Sequence, residues 1–105
     1  MKCFLTGSRR YGMPRDDSDV DMVIFCDDAN DAEDGRLFAA LRDHATEIKE
    51  YGEESACLRY ARLNLIITRC PEQWKAWRDG TIDCDTRAPV TREVAVETMK
   101  KMGVK

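Results

Sequence analysis

The chain reads as an α+β domain, a small mixed sheet covered by helices in a sandwich-like arrangement, and three observations predict it. Two short apolar runs near the start, Cys3-Phe4-Leu5-Thr6 and Met22-Val23-Ile24-Phe25, have the length and composition of strands. A third, Leu63-Asn64-Leu65-Ile66-Ile67, alternates: Leu63, Leu65 and Ile67 face one way, Asn64 and Ile66 the other. The stretches between and after them carry apolar residues at helical spacing, so the elements follow one another as β-β-α-β-α-α.

The elements justify themselves in turn. Residues 2–6 form a first strand, buried through Phe4 and Leu5. From Gly7 to Ser18 the chain is polar, with Gly12 and Pro14 as breakers, which predicts a short helical turn after Ser8 and then an irregular loop. Residues 19–26 form a second strand. Beyond Asp21 both of its faces are apolar, as expected of a central strand, so Asp19 and Asp21 sit at its N-terminal edge. Residues 27–31 are a solvated acidic linker. Asn30 followed by Glu33 has the form of a capping box, and Leu37, Phe38, Leu41, Ala45 and Ile48 give a helical stripe that stops at Gly52. Ser55 to Leu58 reads as a short strand, and residues 63–68 as a further one. Pro71 opens a helix bearing Trp74 and Trp77, and Gly80 either ends it or is tolerated within it. A last helix runs from near Pro89 to Met102, with Lys100 and Lys101 in its final turn and Gly103 after it. With no repeat and no low-complexity stretch, residues 1–105 are expected to make one domain.

Composition narrows the function. Of 105 residues, 43% are hydrophobic and 35% charged, a soluble globular balance, and no apolar run is long enough to span a membrane. The start of the chain lacks the apolar core of a signal peptide. Five cysteines, an odd number without a C-x-x-C pair, and one histidine (His44, expected exposed and without a role) do not make a zinc set. They suit small core residues in a reducing compartment, hence the cytoplasm. The net charge of −3 lacks the basic excess with which a protein grips nucleic acid unaided.

The chemistry concentrates between the first two strands. Asp19 and Asp21 are one strand repeat apart and point the same way, so their charges repel unless a cation lies between them. Hard oxygen ligands of this kind suit Mg²⁺, which takes one or two carboxylates and completes its shell with phosphate and water. Gly7 permits close backbone approach to a phosphate, Ser8 adds a hydroxyl, and Arg9, Arg10 and Arg15 bring positive charge. Taken singly, each has a plainer explanation: Gly7 as a turn, Ser18 capping the turn before the strand, the arginines offsetting four aspartates, and Asp19 with Asp21 as a solvated strand edge. Trp74 and Trp77, at i and i+3, suit a core or a partner face better than a base-stacking platform. Tyr60, Arg59 and Arg62 lie where they could meet a base or an acceptor, or simply decorate a turn.

In order and spacing, Gly7-Ser8-Arg9, Tyr11-Gly12 and Ser18-Asp19-Val20-Asp21 between two strands resemble the DNA polymerase beta-like nucleotidyltransferase superfamily, especially its minimal members. The motif spans residues 3–25, with a looser likeness through Leu63–Ile67. The resemblance implies a nucleotidyltransferase-like fold and a Mg²⁺-dependent site for a nucleoside triphosphate, ATP first among them. It would place Asp19 and Asp21 on metal, Gly7 and Ser8 on phosphates, and Arg9 and Ser18 in support. It also implies transfer of a nucleotidyl group to an acceptor hydroxyl, and a helper protein or a second copy where the substrate domain is missing. Where catalytic members carry a third carboxylate, this chain has Asn64, which adds no charge and cannot act as a base; Glu53 or Glu54 are the nearby substitutes. A module that keeps the fold for nucleotide or partner binding, as an antitoxin-like protein, is the alternative reading.

Overall fold

A computed structural model describes residues 2–27 and 30–105; of the acidic linker, positions 28 and 29 lie outside the described residues. Among the described residues there are five strands and four helices: β1 Lys2–Thr6, α1 Ser8–Tyr11, β2 Val20–Phe25, α2 Ala32–His44, β3 Glu47–Tyr51, β4 Ser55–Tyr60, β5 Leu63–Thr68, α3 Pro71–Thr86 and α4 Arg92–Met102. The strands form one sheet in the order β1-β2-β5-β4-β3. The β2–β5 pair is parallel and the others antiparallel, so the fold is α+β with a mixed sheet. No helix among the described residues is long and apolar enough to cross a membrane.

Strand alternation divides the sheet into two unlike faces. One is apolar at its centre: Ile24, Leu65, Ile67, Ala56 and Leu58 pack against Leu37, Phe38 and Leu41 of α2. Val23 and Phe25 turn to the other face, where α3 lies over β1 and β2. There Trp74 packs on Phe4, ring centroids 4.9 Å apart, and on Phe25 at 5.8 Å, so this tryptophan is a packing residue. Helix α4 packs on α3, and Tyr11, Cys84, Val90, Ala95 and Met99 form a second core between α1, α3 and α4. Gly80 lies inside α3, where a Cβ would stand 2.4 Å from the Met99 sulfur; the two helices meet through that gap. Cys26 and Cys84 are buried, Cys57 and Cys70 half-buried, Cys3 exposed, and all five are free thiols.

The structure corrects the sequence-based boundaries in four places. The second helix ends at His44, which is exposed, and Glu47–Tyr51 is an edge strand rather than more helix. Thr46 starts it by donating both its N–H and its hydroxyl to the Arg59 carbonyl, each at 2.8 Å. Ile48 fits a helical stripe with Leu41 and Ala45, yet it pairs with Leu58 and faces the same core from the sheet. Gly52, with φ 75°, turns the β3–β4 hairpin instead of stopping a helix. The cap of α2 is Asp31, whose carboxylate accepts the Glu33 N–H at 2.9 Å; Asn30 instead donates to Asp27. The strand expected at Ser55–Leu58 continues to Tyr60, and α4 starts at Arg92, capped by Thr91, rather than near Pro89. Gly103 ends α4 in the left-handed conformation.

Candidate functional site

The site face of the sheet is built by register. In the parallel β2–β5 pair Asp21 stands beside Asn64, and in the β4–β5 pair Asn64 stands beside Arg59. Thr6 of β1 flanks Asp21 on its other side. A carboxylate, an amide and a guanidinium therefore lie in a row across three strands, and Asp19 precedes Asp21 by one strand repeat.

These groups are bonded together. The Asn64 Nδ2 donates to Asp21 Oδ1 at 3.0 Å and to Asp19 Oδ2 at 3.3 Å. Arg59 donates to Asn64 Oδ1 at 3.3 Å and pairs with Asp19 Oδ2 at 3.1 Å. Carboxylates only accept and a guanidinium only donates, so this placement fixes which end of the amide faces each partner. One amino group serves both carboxylates. The position between the two carboxylates is held by that amino group, so a cation joining them would take the place of the Asn64 Nδ2. Asp19 and Asp21 are the residues that could hold a divalent cation here, with Asn64 as their neutral neighbour. Among the described residues no three His, Cys, Asp or Glu side chains come together around a metal position.

Gly7 closes the row. Its backbone has φ 78° and ψ −166°, a region essentially restricted to glycine, and a Cβ there would lie 2.2 Å from Asp21 Oδ2. The turn is held from both sides. Arg10 donates to the Leu5 carbonyl at 2.9 Å and to both oxygens of Asp85, the shortest contact being 2.7 Å. Tyr11 is buried in the second core, and its carbonyl accepts the Val90 N–H at 2.9 Å. Burial pushes the Tyr11 phenol up, so it stays neutral.

Arg9 and Ser18 serve the loop. The Arg9 guanidinium donates to the carbonyls of Ser18, Arg15 and Asp16 at 2.9–3.2 Å, and Ser18 Oγ accepts the Arg15 N–H at 2.7 Å. Together they shape the approach to Asp19, and Arg9 has its donors on backbone rather than turned toward the carboxylates.

Around the row lies an open cleft of about 940 Å³ between the sheet and α4. Gly7, Ser8, Asp19, Asp21, Asn64 and Arg59 line one end of it, Ile66 and Cys57 continue its floor, and Trp77, Arg92, Ala95 and Met99 face it from the helices. The structure thus brings Gly7, Ser8, Ser18, Asp19, Asp21 and Asn64 to one cavity and leaves Arg9 behind the loop. Tyr60 points to the opposite face, where its hydroxyl donates to the Leu41 carbonyl, so it cannot meet a ligand in the cleft. Arg62 lies in the β4–β5 turn, 3.5 Å from the Asp16 carbonyl. Glu53 and Glu54 lie before Ser55, at the far end of β4 from Arg59 and roughly 15 Å along the strand, so neither replaces the missing carboxylate.

Asp21 is the electrically strained member. Burial raises its carboxyl above the usual aspartate range and neighbouring Asp19 adds to this, while the Asn64 hydrogen bond, Arg92 and Arg59 oppose it. Burial, and then Asp21, likewise raise the Cys57 thiol, which keeps it neutral and a poor nucleophile. Arg92 was not legible as a site residue: it is the first residue of a helix 71 positions after Asp21, and only α4 packing on α3 turns it toward the carboxylates.

No protein-family model, curated protein or solved structure matches the chain.

Proposed function

We propose that the cleft binds a nucleoside triphosphate together with Mg²⁺, and that the chain is a nucleotidyltransferase of the polymerase beta-like kind. One observation carries this reading: Asp19 and Asp21 lie side by side, and Asp21 stands directly against a Gly7–Ser8 turn that admits no side chain at Gly7. Closely approaching backbone beside paired hard oxygens is what a metal-bound phosphate chain requires. Asp19 and Asp21 would hold the ion, whose contribution is to neutralise phosphate charge. The Gly7–Ser8 turn would bring backbone and a hydroxyl against the phosphates. The open cleft leaves room for an acceptor whose hydroxyl attacks the α-phosphorus; the α–β phosphoanhydride bond breaks, pyrophosphate departs and the hydroxyl proton goes to water. ATP is the nucleotide to try first, and a protein partner or second copy would supply acceptor contacts.

A second reading has its own observation. Asn64 and Arg59 already occupy the carboxylates with donors, and the amide brings neither charge nor a base. That favours a degenerate module which binds nucleotide or a partner without turnover. Calorimetric titration with each NTP and Mg²⁺, followed by assay of pyrophosphate release with candidate acceptors, separates the two. Loss of the Mg²⁺-dependent gain in binding in Asp19→Ala and Asp21→Ala, with pyrophosphate released by the native chain, supports the transferase. Binding without release, converted to release by Asn64→Asp, supports the degenerate module. If no NTP binds, or binding ignores both alanine variants, the nucleotide reading fails.

A further inference from the structure

We propose that Arg59 and Arg92 form a two-sided phosphate clamp, so that the nucleotide is gripped directly by the protein and its binding does not depend on the metal alone. The inference rests on the nucleotide reading and deepens it.

The argument begins with charge. A site with three carboxylates would repel a triphosphate until metal ions neutralised it. Here the charged side chains lining the cleft are two carboxylates, Asp19 and Asp21, and four cations, Arg59, Arg92, Lys100 and Lys105. The balance favours positive charge, so a polyanion entering without metal meets no net repulsion. The two arginines also approach from opposite walls. Arg59 rises from β4 on the sheet, and Arg92 descends from the first turn of α4. Both line the same cleft as Asp21.

Each is available in its own way. Arg92 is exposed, and among the described residues its side chain has no hydrogen bond or ion pair. Arg59 is held by Asp19 at 3.1 Å and Asn64 at 3.3 Å, both long contacts for a guanidinium, with its side chain 40% exposed. When Asp19 turns to a cation, Arg59 is released from its carboxylate beside the phosphates. Guanidinium groups suit this task because their planar fork matches two phosphate oxygens at once. Asn64 then acquires a purpose: a third carboxylate at that position would lock Arg59 in an ion pair and add negative charge beside the phosphates.

The test is titration with ATP in excess Mg²⁺ and again in EDTA, for the native chain, Arg59→Gln, Arg92→Gln and Asn64→Asp, with adenosine as a phosphate-free control. The expected result is measurable ATP binding in EDTA that falls about tenfold or more in each arginine variant, as for loss of a charge-assisted bond. Adenosine binding should stay unchanged, and Asn64→Asp should lose affinity in EDTA while keeping it in Mg²⁺. Arg92→Gln gives up no internal contact, so it reports on the ligand even if Arg59→Gln perturbs the fold. ATP binding that disappears in EDTA, or that ignores both arginine substitutions, overturns the clamp and leaves the nucleotide reading standing. Absence of NTP binding in either condition overturns both.

Discussion

The two faces of the sheet are made from the same strands, and they have been put to opposite uses. Toward α2 the alternate residues Ile24, Leu65, Ile67 and Leu58 are apolar and sealed. Toward α4 the residues between them include Asp21, Asn64 and Arg59, and the helix stands off to leave a cleft. The period of two lets one strand hold the fold together on one side and carry charge on the other. The difference teaches where tolerance lies: the closed face is packed for stability, whereas the open face holds half-buried like charges that weigh against it.

Substitutions that strike one face and spare the other sharpen the contrast. The largest effect is expected from Leu58→Ala on the closed face, where a fully buried side chain leaves a cavity and costs about 2–5 kcal/mol in denaturant unfolding. Ligand affinity of the folded fraction should be unchanged, and a comparable loss of affinity would show that the faces are not independent. Gly7→Ala comes next, at about 1–3 kcal/mol, because alanine must enter a glycine-only region and meet the Asp21 carboxylate. It should also abolish nucleotide binding in a calorimetric titration.

Asp21→Asn should act in the opposite sense on stability. A carboxyl whose folded-state pKa is raised favours the fold below its unfolded pKa, and this contribution is lost as pH rises through the folded value. The asparagine variant should therefore match the native chain in acid and melt higher at neutral pH in the absence of metal, while losing Mg²⁺–ATP binding. A lower melting temperature at neutral pH would contradict the assignment of strain to Asp21. Arg10→Ala removes a pair with partly exposed members, so the loss should be only about 0.2–1 kcal/mol. Any larger fall in nucleotide affinity would reveal how firmly the Gly7 turn depends on its anchor. On the outer edge of the closed face, Ile48→Lys should move stability by no more than about 0.5 kcal/mol, since that side chain is 44% exposed.

What could be read in advance follows from how local each signal is. The strands at 2–6, 20–25 and 63–68 show themselves by apolar runs, and the Gly7-Ser8 turn with Asp19 and Asp21 by spacing within a single βαβ-sized stretch. Asn64 was legible as an oddity of composition, a lone amide in an apolar strand. Its pairing with Asp21 was not, because register between distant strands leaves no local trace. Residues 47–51 misled because Ile48 serves the same apolar face from a strand that it would serve from a helix. Arg9 misled in the other direction: a charged residue beside a Gly-Ser pair suggests a ligand contact, and here it ties loop carbonyls. Arg92 and the position of Arg59 depend wholly on tertiary packing.

The parallel pairing of β2 with β5 has a consequence for how the molecule comes to exist. The Asp21–Asn64 bond spans 43 positions, while β3, β4 and β5 are joined by short turns. Contacts between distant segments carry the larger loop-closure entropy and form slowly, so the hairpins can assemble before β2 docks beside them. The row of acidic and basic groups is then completed by the chain's most distant strand pairing, across the joint where the sheet closes. A ligand bridging Asp21 and Asn64 clasps that joint, and by mass action its presence draws the folding equilibrium toward the finished sheet.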